Sequence, residues 1–482
     1  MKSLLPSLMT FFWLVAVAGA MSSCGSNAAN AQELPLESGS AWSRVDSILS
    51  QIVAPQFPDR EVGITDFGAQ GDGKYNCTEA FRQAIAACHE AGGGRVVVPE
   101  GNFLTGPIHL LSNVNLHVMK GATISFSTQP QDYLPLVYTR WEGVELMNYS
   151  PLVYAFEQEN IAITGEGVLD GQANATNWWP WKGKEEYGWK AGTPHQGQEA
   201  NRVALFDMAE NNVPVRERTF GEGHYLRPQF VQPYRCKNVL IEGVTFINSP
   251  MWILNPVLCT NVTIQKVTVE SQGPNSDGCD PESCKNVLIK DCFFNTGDDC
   301  IAIKSGRNAD GRRISVPSEN IIIQGCSMAN GHGGVVIGSE ISGGARNVFA
   351  ENCTMNSPLL ERALRIKTSS MRGGVIENVY LRNINVGQVA EQVIRVNMHY
   401  EDSGSYLPTV RNIEVENMTV ENGGKTGVLL EGYAKSPVAN IRLNNVTIRE
   451  TKVPYQFSHV DDIQFADVTI NGQKVPYPEE SL

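Results

Sequence analysis

The sequence predicts an all-β chain, a single-domain right-handed parallel β-helix closed at its N-terminal end by one capping helix. Asn followed by an apolar alternation recurs at Asn113, Asn160, Asn238, Asn261, Asn286, Asn320, Asn347, Asn378, Asn412 and Asn440, and Asp462 closes the series. From Asn238 onward the intervals range from 22 to 34 residues, as expected for coils of fixed cross-section whose turns carry insertions of different length. Six residues beyond each of these anchors stand Val244, Val267, Cys292, Cys326, Cys353, Ile384, Met418, Val446 and Val468. That column is apolar throughout and so faces a core, and parallel strands buried this way stack at about 4.8 Å per coil.

The chain begins with an export signal. Lys2 precedes an apolar run over residues 4–20, shorter than a comfortable membrane span. Met21-Ser22-Ser23-Cys24-Gly25 resembles a bacterial lipoprotein cleavage site, although Met21 stands where Leu is usual. This makes residues 1–23 a signal peptide and Cys24 the lipidated residue, and Ala29-Asn30-Ala31 is a rival site of the ordinary secretory kind. Either site places the mature protein outside the cytoplasm, as a periplasmic or cell-surface lipoprotein that touches membrane only through its N-terminal lipid. Residues 24–60 are polar and weakly patterned and read as a tether. Residues 61–482 read as a β-helix catalytic domain.

Within that domain Asn76 is placed to cap a helix, with Glu79 three residues on to reach back. Phe81, Ala84, Ile85 and Cys88 follow the i, i+3, i+4, i+7 rule, and Gly92-Gly93-Gly94 ends the helix. A lone amphipathic helix ahead of continuous strands covers the open end of a solenoid. Residues 172–235 depart from the repeat as an insertion with Trp178-Trp179-Pro180-Trp181 and Trp189. Two readings fit it: an irregular element with its own small core, or an aromatic rim beside a carbohydrate cleft.

Composition narrows the function. Lys+Arg 38 against Asp+Glu 51 gives a net charge of −13, which argues against a nucleic-acid protein and, unless a local basic patch intervenes, against a polyanionic ligand. Of 11 cysteines, ten follow Cys24. Because Cys292, Cys326 and Cys353 stand where other coils hold Val, Ile or Met, buried free thiols are expected there. Cys77 with Cys88 and Cys279 with Cys284 remain open pairings. No Cys-x-x-Cys or His-x-x-x-His spacing marks a zinc site, so no metal or cofactor is expected. A monomer is expected.

The chemistry gathers between Asn275 and Lys367. Asp298-Asp299-Cys300-Ile301, His332-Gly333-Gly334-Val335 and, joining at the third column, Ala363-Leu364-Arg365-Ile366-Lys367 align without gaps, with Ser276-Asp277-Gly278-Cys279 fitting above them. Asp298 lies 12 residues after Asn286, and His332 lies 12 after Asn320, so the two are neighbours on adjacent coils. Asp277 aligns with Asp299, while Lys304, Gly338 and Lys367 share a column. Strand parity turns Asp298, Lys304, Arg365 and Lys367 outward, whereas Asp277 and Asp299 need a local bend to join them. Singly, an Asp-Asp turn or a histidine between glycines is ordinary; their joint register is not. Glycosidic hydrolysis uses a protonated carboxyl for the leaving oxygen and a carboxylate to activate water, and crowding raises the pKa of the acid. Arg365 and Lys367 suit a substrate that carries carboxylates, which supplies the local basic patch.

At these residues the sequence resembles glycoside hydrolase family 28, the polygalacturonases. That family's signatures Asn-Thr-Asp, Gly-Asp-Asp, Gly-His-Gly and Arg-Ile-Lys stand here in order as Asn275-Ser276-Asp277, Gly297-Asp298-Asp299, Gly331-His332-Gly333 and Arg365-Ile366-Lys367. Ser276 replaces the threonine and keeps the hydroxyl. The likeness runs from about Asp66 to the C-terminus. It implies a right-handed parallel β-helix that inverts the anomeric centre, with Asp298 as general acid and Asp277 and Asp299 activating water. It also implies that His332 supports the acid, and that Asn275, Arg365, Lys367 and Tyr400 contact the substrate. Inversion leads to expected carboxyl separations of roughly 6.5–9.5 Å.

The expected function is therefore a pectin-degrading hydrolase of galacturonic-acid bonds. Ser283, Gly306 and Gly338-Ser339-Glu340-Ile341-Ser342-Gly343-Gly344 look more like bacterial and plant polygalacturonases than fungal ones, and the long insertion is placed to wall off the groove. Exo action on polygalacturonan follows as the expectation. Endo-polygalacturonase and rhamnogalacturonan-directed action are the alternatives. A calcium-dependent pectate lyase and a non-catalytic polysaccharide-binding β-helix are the rivals from other classes.

Overall fold

A computed structural model describes residues 38–475; the expected signal peptide and the expected lipidation at Cys24 lie outside the described residues. The chain is a parallel β-helix. Its longest ladder pairs Lys237–Glu242 with Thr260–Gln265, then Lys285–Lys290, Ser318–Gln324, Ala345–Glu351, Val375–Gln388, Thr409–Asn422, Val438–Ile448 and Val460–Ile470, all parallel. The register holds one inward column in step: Ile241, Ile264, Ile289, Ile323, Ala350, Leu381, Val415, Leu443 and Phe465 are mutual partners.

The recurring asparagine has a physical cause. Every one of these anchors sits at positive φ, between 54° and 65°, a region that Asn tolerates better than other residues with a Cβ. Its side-chain Nδ2 donates to the Oδ1 of the anchor one coil earlier at 2.7–3.2 Å, from Asn160 on Asn113 to Asn261 on Asn238 and again from Asn320 on Asn286 to Asn440 on Asn412; between the two runs Asn286 Nδ2 turns to Gln51 Oε1 at 3.4 Å. Asn thus turns the chain into each strand and satisfies its own amide. From Asn238 onward the apolar column six residues on is buried in every coil.

All ten described cysteines are buried and free, so neither Cys77 with Cys88 nor Cys279 with Cys284 is bridged. Cys236, Cys259 and Cys284 stack on one another, as do Cys292, Cys326 and Cys353. Their thiols donate to nearby carbonyls, Cys284 Sγ to Pro256 O at 3.1 Å and Cys259 Sγ to Pro233 O at 3.2 Å.

Helix Thr78–Glu90 buries Ala80, Phe81, Ala84, Ile85 and Cys88 over the first coils. Asn76 Oδ1 accepts from Thr78 N at 3.0 Å and from Thr78 Oγ1 at 2.6 Å. The expected reach-back of Glu79 does not occur, because its carboxylate is taken by Arg82 and Gln83 one turn on.

The tether assigned to residues 24–60 needs correction. Ser38–Leu49 is a helix that lays Ala41, Trp42, Val45 and Ile48 onto Ile322, Phe349 and Tyr380, outward-facing residues of the longest ladder. Trp42 meets Phe349 edge-on at 5.4 Å and carries the Arg382 guanidinium over its face at 3.9 Å. Its apolar stripe spans only three turns amid polar residues, which hid it, and the outward apolar triad exists because this helix covers it. The insertion has its own core, in which Leu205, Phe220 and Leu226 pack with Trp141, Met251 and Trp252. Trp178 instead faces the main core against Tyr133 at 5.6 Å.

A second sheet carries the site. Ile301–Ile303, Val335–Gly338, Arg362–Lys367, Gln392–Asn397, Gly424–Glu431 and Thr451–Ser458 stack in parallel, with Ile301, Val335, Leu364, Ile394, Val428 and Tyr455 in register. Trp42→Ala should undock the N-terminal helix and leave the coils intact: limited proteolysis is expected to cut before residue 60 in the variant only, with the far-ultraviolet spectrum unchanged.

Candidate active site

The gapless alignment is reproduced pair by pair. Cys279 bridges Ile301 and Glu282 bridges Lys304, while Val336 partners Arg365 and Gly338 partners Lys367. Asp298 and Asp299 lie in the bend before strand Ile301–Ile303, not within it. That bend is the departure from strand parity that Asp277 and Asp299 required. Gly331 makes it possible: it sits at φ +144, where an added Cβ would meet Asp298 O at 2.4 Å and Thr296 Oγ1 at 2.8 Å. Thr296 Oγ1 and His332 N both donate to Asp298 O, at 2.8 and 3.1 Å.

Asp277, Asp298 and Asp299 each bring one carboxylate oxygen within 4.8 Å of the other two. These are nearest-oxygen distances, a shorter measure than the carboxyl-to-carboxyl separation of roughly 6.5–9.5 Å that inversion leads one to expect, and cations stand beside the acids. Lys367 Nζ lies 2.6 Å and Arg365 Nη1 3.4 Å from the two oxygens of Asp299. Lys304 Nζ lies 3.4 Å from Asp277. His332 Nδ1 lies 2.9 Å from Asp298 Oδ1, which also accepts from Asp299 N at 3.0 Å. The trio could present ligands to a metal ion, but protein cations already stand on Asp277 and Asp299, and such donors compete with any metal for the same lone pairs.

Lys304 was expected to face outward with Arg365 and Lys367. Lys304 and Lys367 are both buried instead, Lys367 keeping 8% of its side chain exposed at the edge of the site and Lys304 2%; Lys304 is ringed by Asp277, Asp280 at 3.5 Å and Glu340 at 3.2 Å, with its ammonium 4.3 Å above the Trp252 ring. It braces the acids from beneath and cannot meet a substrate.

The proton does not rest where crowding alone predicts. Burial, then the charge of Asp298, pushes the Asp277 carboxyl up to about 7. Burial also acts to raise Asp298, but the hydrogen bond and charge of His332 outweigh it and hold Asp298 below the usual carboxylate range. The same contact lifts His332 to about 9. Asp280, behind Asp277, is pushed well above the carboxylate range by burial and by Asp277. The raised member of the trio in the free protein is therefore Asp277 and not Asp298. Only Asp298 among the three keeps an appreciable exposed side-chain face, 17% against 4% and 0% for Asp277 and Asp299.

Tyr400 stands beside the two outer cations, its ring 5.6 Å from the Arg365 guanidinium and 5.5 Å from the Lys367 ammonium. Asn275 is turned toward the insertion, where its Oδ1 accepts from Lys182 Nζ and from Arg227 Nη2, both at 2.8 Å. The residues that sequence reasoning missed are Asp280, Glu340, Lys182 and Arg227. Asp280 lies three residues from Asp277 and was open to the same alignment, whereas Lys182 and Arg227 sit in non-repeating chain that carries no register signal.

Comparison with known proteins identifies the family. The model of glycosyl hydrolases family 28 matches residues 217–469, and a rhamnogalacturonase A/epimerase, pectate lyase-like model matches residues 61–125. The chain is similar to the crystal structure of a hyperthermoactive exopolygalacturonase from Thermotoga maritima, with 51% identity, a TM-score of 0.87, and 90% of this chain and 96% of that one covered. A probable polygalacturonase of Vitis vinifera is 28% identical over 428 residues, 83% of this chain and 77% of the relative. The exo-poly-alpha-D-galacturonosidase of Dickeya chrysanthemi is 26% identical over 399 residues, 75% of this chain and 63% of the relative. With its signature residues gathered on one face of a parallel β-helix and its family model matched over more than half its length, this chain belongs to glycosyl hydrolases family 28.

Proposed function

We propose that the protein hydrolyses galacturonic-acid glycosidic bonds of pectic polysaccharide from the non-reducing end. The observation that carries this reading is a cluster of three aspartates with one carboxyl raised to about 7, set beside Arg365 and Lys367. A glycosidic oxygen needs a proton as it leaves and a water needs a base, and a uronate needs a cation. Relatives whose names describe exo action on galacturonan support the exo mode.

In this mechanism Asp298, the one of the three aspartates with an exposed side-chain face, gives the proton to the leaving oxygen. Asp277, with an oxygen within 4.8 Å of Asp298, is the reservoir that keeps one proton in the pair. His332 holds the Asp298 carboxyl in position. Once Asp277 has passed its proton to Asp298, the ionised Asp277 and Asp299 orient the attacking water and Asp277 takes one proton from it, which returns the pair to its starting state. Asp277 and Asp299 are too buried to reach an anomeric carbon themselves, and water is small enough to do so, which favours inversion. Arg365, with its fork of donors, and Lys367 hold a substrate carboxylate beside Tyr400.

Polygalacturonate incubated with the enzyme should release short products from the outset with no early spread of oligomers, and the first-formed anomer in proton NMR should be inverted. Asp298→Asn should lower kcat by about three orders of magnitude or more, since it removes general-acid catalysis. Early mixed oligomers would contradict exo action, a retained anomer would contradict the assignment of water as nucleophile, and an active Asp298→Asn would contradict the acid. Ultraviolet-absorbing unsaturated products that vanish in chelator would favour a lyase instead.

The pH dependence has a defined sign. A carboxyl raised to about 7 is protonated below that pH, so the proton that catalysis uses is present in acid and lost as pH climbs. The kcat/KM profile should fall through about pH 7, while His332, raised to about 9, stays charged across that limb. A profile flat to pH 8.5 would refute the shared proton.

We further propose that the protein is exported as a monomer and anchored outside the cytoplasm by lipid on Cys24. Cys24→Ser should move it from the membrane fraction to the soluble one, and an unchanged distribution would remove the anchor.

A further inference from the structure

The insertion brings one cation to the opposite side of the acids from Arg365 and Lys367. Lys182 ends the short turn Trp179–Lys182. That turn is pinned from three directions: Trp179 Nε1 donates to Ser249 O at 2.9 Å, Trp178 packs on the core beside Tyr133, and Trp181 meets Tyr225 edge-on at 5.1 Å. Gly183 follows at φ +82, where an added Cβ would strike the His195 ring at 2.5 Å. The lysine is therefore delivered by a rigid turn, and its ammonium is fixed on Asn275 Oδ1 at 2.8 Å, two residues before Asp277.

Its electrostatic situation differs from that of the other cations in the site. Lys304, Arg365 and Lys367 each have a carboxylate in ion-pair contact. Among the described residues, no carboxylate lies within 4.0 Å of the Lys182 amine. The nearest acids that it feels are Glu142, already taken by Arg202 at 2.8 Å, and Asp298. The oxygen that Lys182 touches is shared with Arg227, a fully buried guanidinium whose other contacts are Gln196 and the carbonyls of Pro250 and Pro274. Two cations on one neutral carboxamide leave a positive pole without its anion. Burial and Arg227 hold the Lys182 amine below the usual lysine range, a strain that an incoming carboxylate would relieve.

Geometry says which carboxylate. Along the axis the coils run from Asn275 to Asp298 to His332 to Arg365, about 4.8 Å apart. A bond cleaved at Asp298 therefore has Arg365 and Lys367 on one flank and Lys182 on the other. The insertion that carries Lys182 stands on that flank, against Asn275 through Lys182 and Arg227, and with the exo action proposed above the sugar held there is the non-reducing terminus.

We propose that Lys182 is the anchor of a subsite for the carboxylate of the non-reducing terminal uronic acid, and that this contact selects the end of the polymer for cleavage. The proposal rests on the galacturonide hydrolysis put forward above and adds the residue that sets its mode. Arg227 and Asn275 hold the ammonium in place, so that little ordering remains when substrate arrives.

The test uses the intact enzyme with trigalacturonate and with the same trimer methyl-esterified only at its non-reducing terminal carboxyl. Wild type should prefer the free acid about ten- to a hundredfold in kcat/KM, the range of a hydrogen bond to a charged group. Lys182→Met should lose that factor on the free acid and show no preference, while Lys182→Arg should keep most of it. Thermal unfolding of both variants at the wild-type midpoint separates lost contact from lost fold. A Lys182→Met enzyme that still prefers the free acid, or a wild type that cleaves both trimers equally, overturns the subsite while leaving hydrolysis intact. A wild type that cleaves neither overturns the hydrolase reading, and the subsite with it.

Discussion

Backbone hydrogen bonding between successive coils is the constraint on which the site depends. Asp277, Asp298, His332 and Arg365 come from four different coils and make no local contact in sequence. They meet because Cys279, Ile301, Val335 and Leu364 are held as strand partners beneath them. A slip of one residue in any strand would turn its entire side-chain set to the other face. The inward apolar column and the asparagine ladder both oppose such a slip, the first by burial and the second by linking the turns. Catalytic placement is in this sense a by-product of core packing.

Charge within the site is balanced locally. Three aspartates share a volume in which each carboxylate disfavours ionisation of the next, and Lys304, Lys367 and Arg365 offset that cost from the walls. The balance is uneven by construction. Asp299 holds two cations and Asp298 holds His332, but Asp277 has only the buried Lys304, which it shares with Asp280 and Glu340. The carboxyl with the least exclusive partner keeps the proton.

Much of this was legible in sequence because a solenoid writes its register into the chain. The apolar column, the stacking of Asp298 with His332 and of Gly338 with Lys367, and the free cysteines all follow from aligning the repeats. Four features were not legible, each for a physical reason. Lys304 alternates with core residues as any exposed lysine would, and only the packing of Trp252 and Glu340 over it shows that it is buried. The shift of the proton from Asp298 to Asp277 depends on His332 sitting 2.9 Å from one carboxylate and not the other. Lys182 and Arg227 belong to chain without a period, and the docked helix over residues 38–49 was masked by its polar majority.

The central claim is that in-step coils crowd three distant aspartates until one keeps its proton near neutrality. Carbon-13 NMR of side-chain carboxyls in aspartate-labelled enzyme measures this directly. A resonance titrating at about 7 that disappears in Asp277→Asn is the predicted result. If Asp277 and Asp298 both titrate at about 4, the ordinary value for an aspartate, the carboxyls do not share an environment and the account fails.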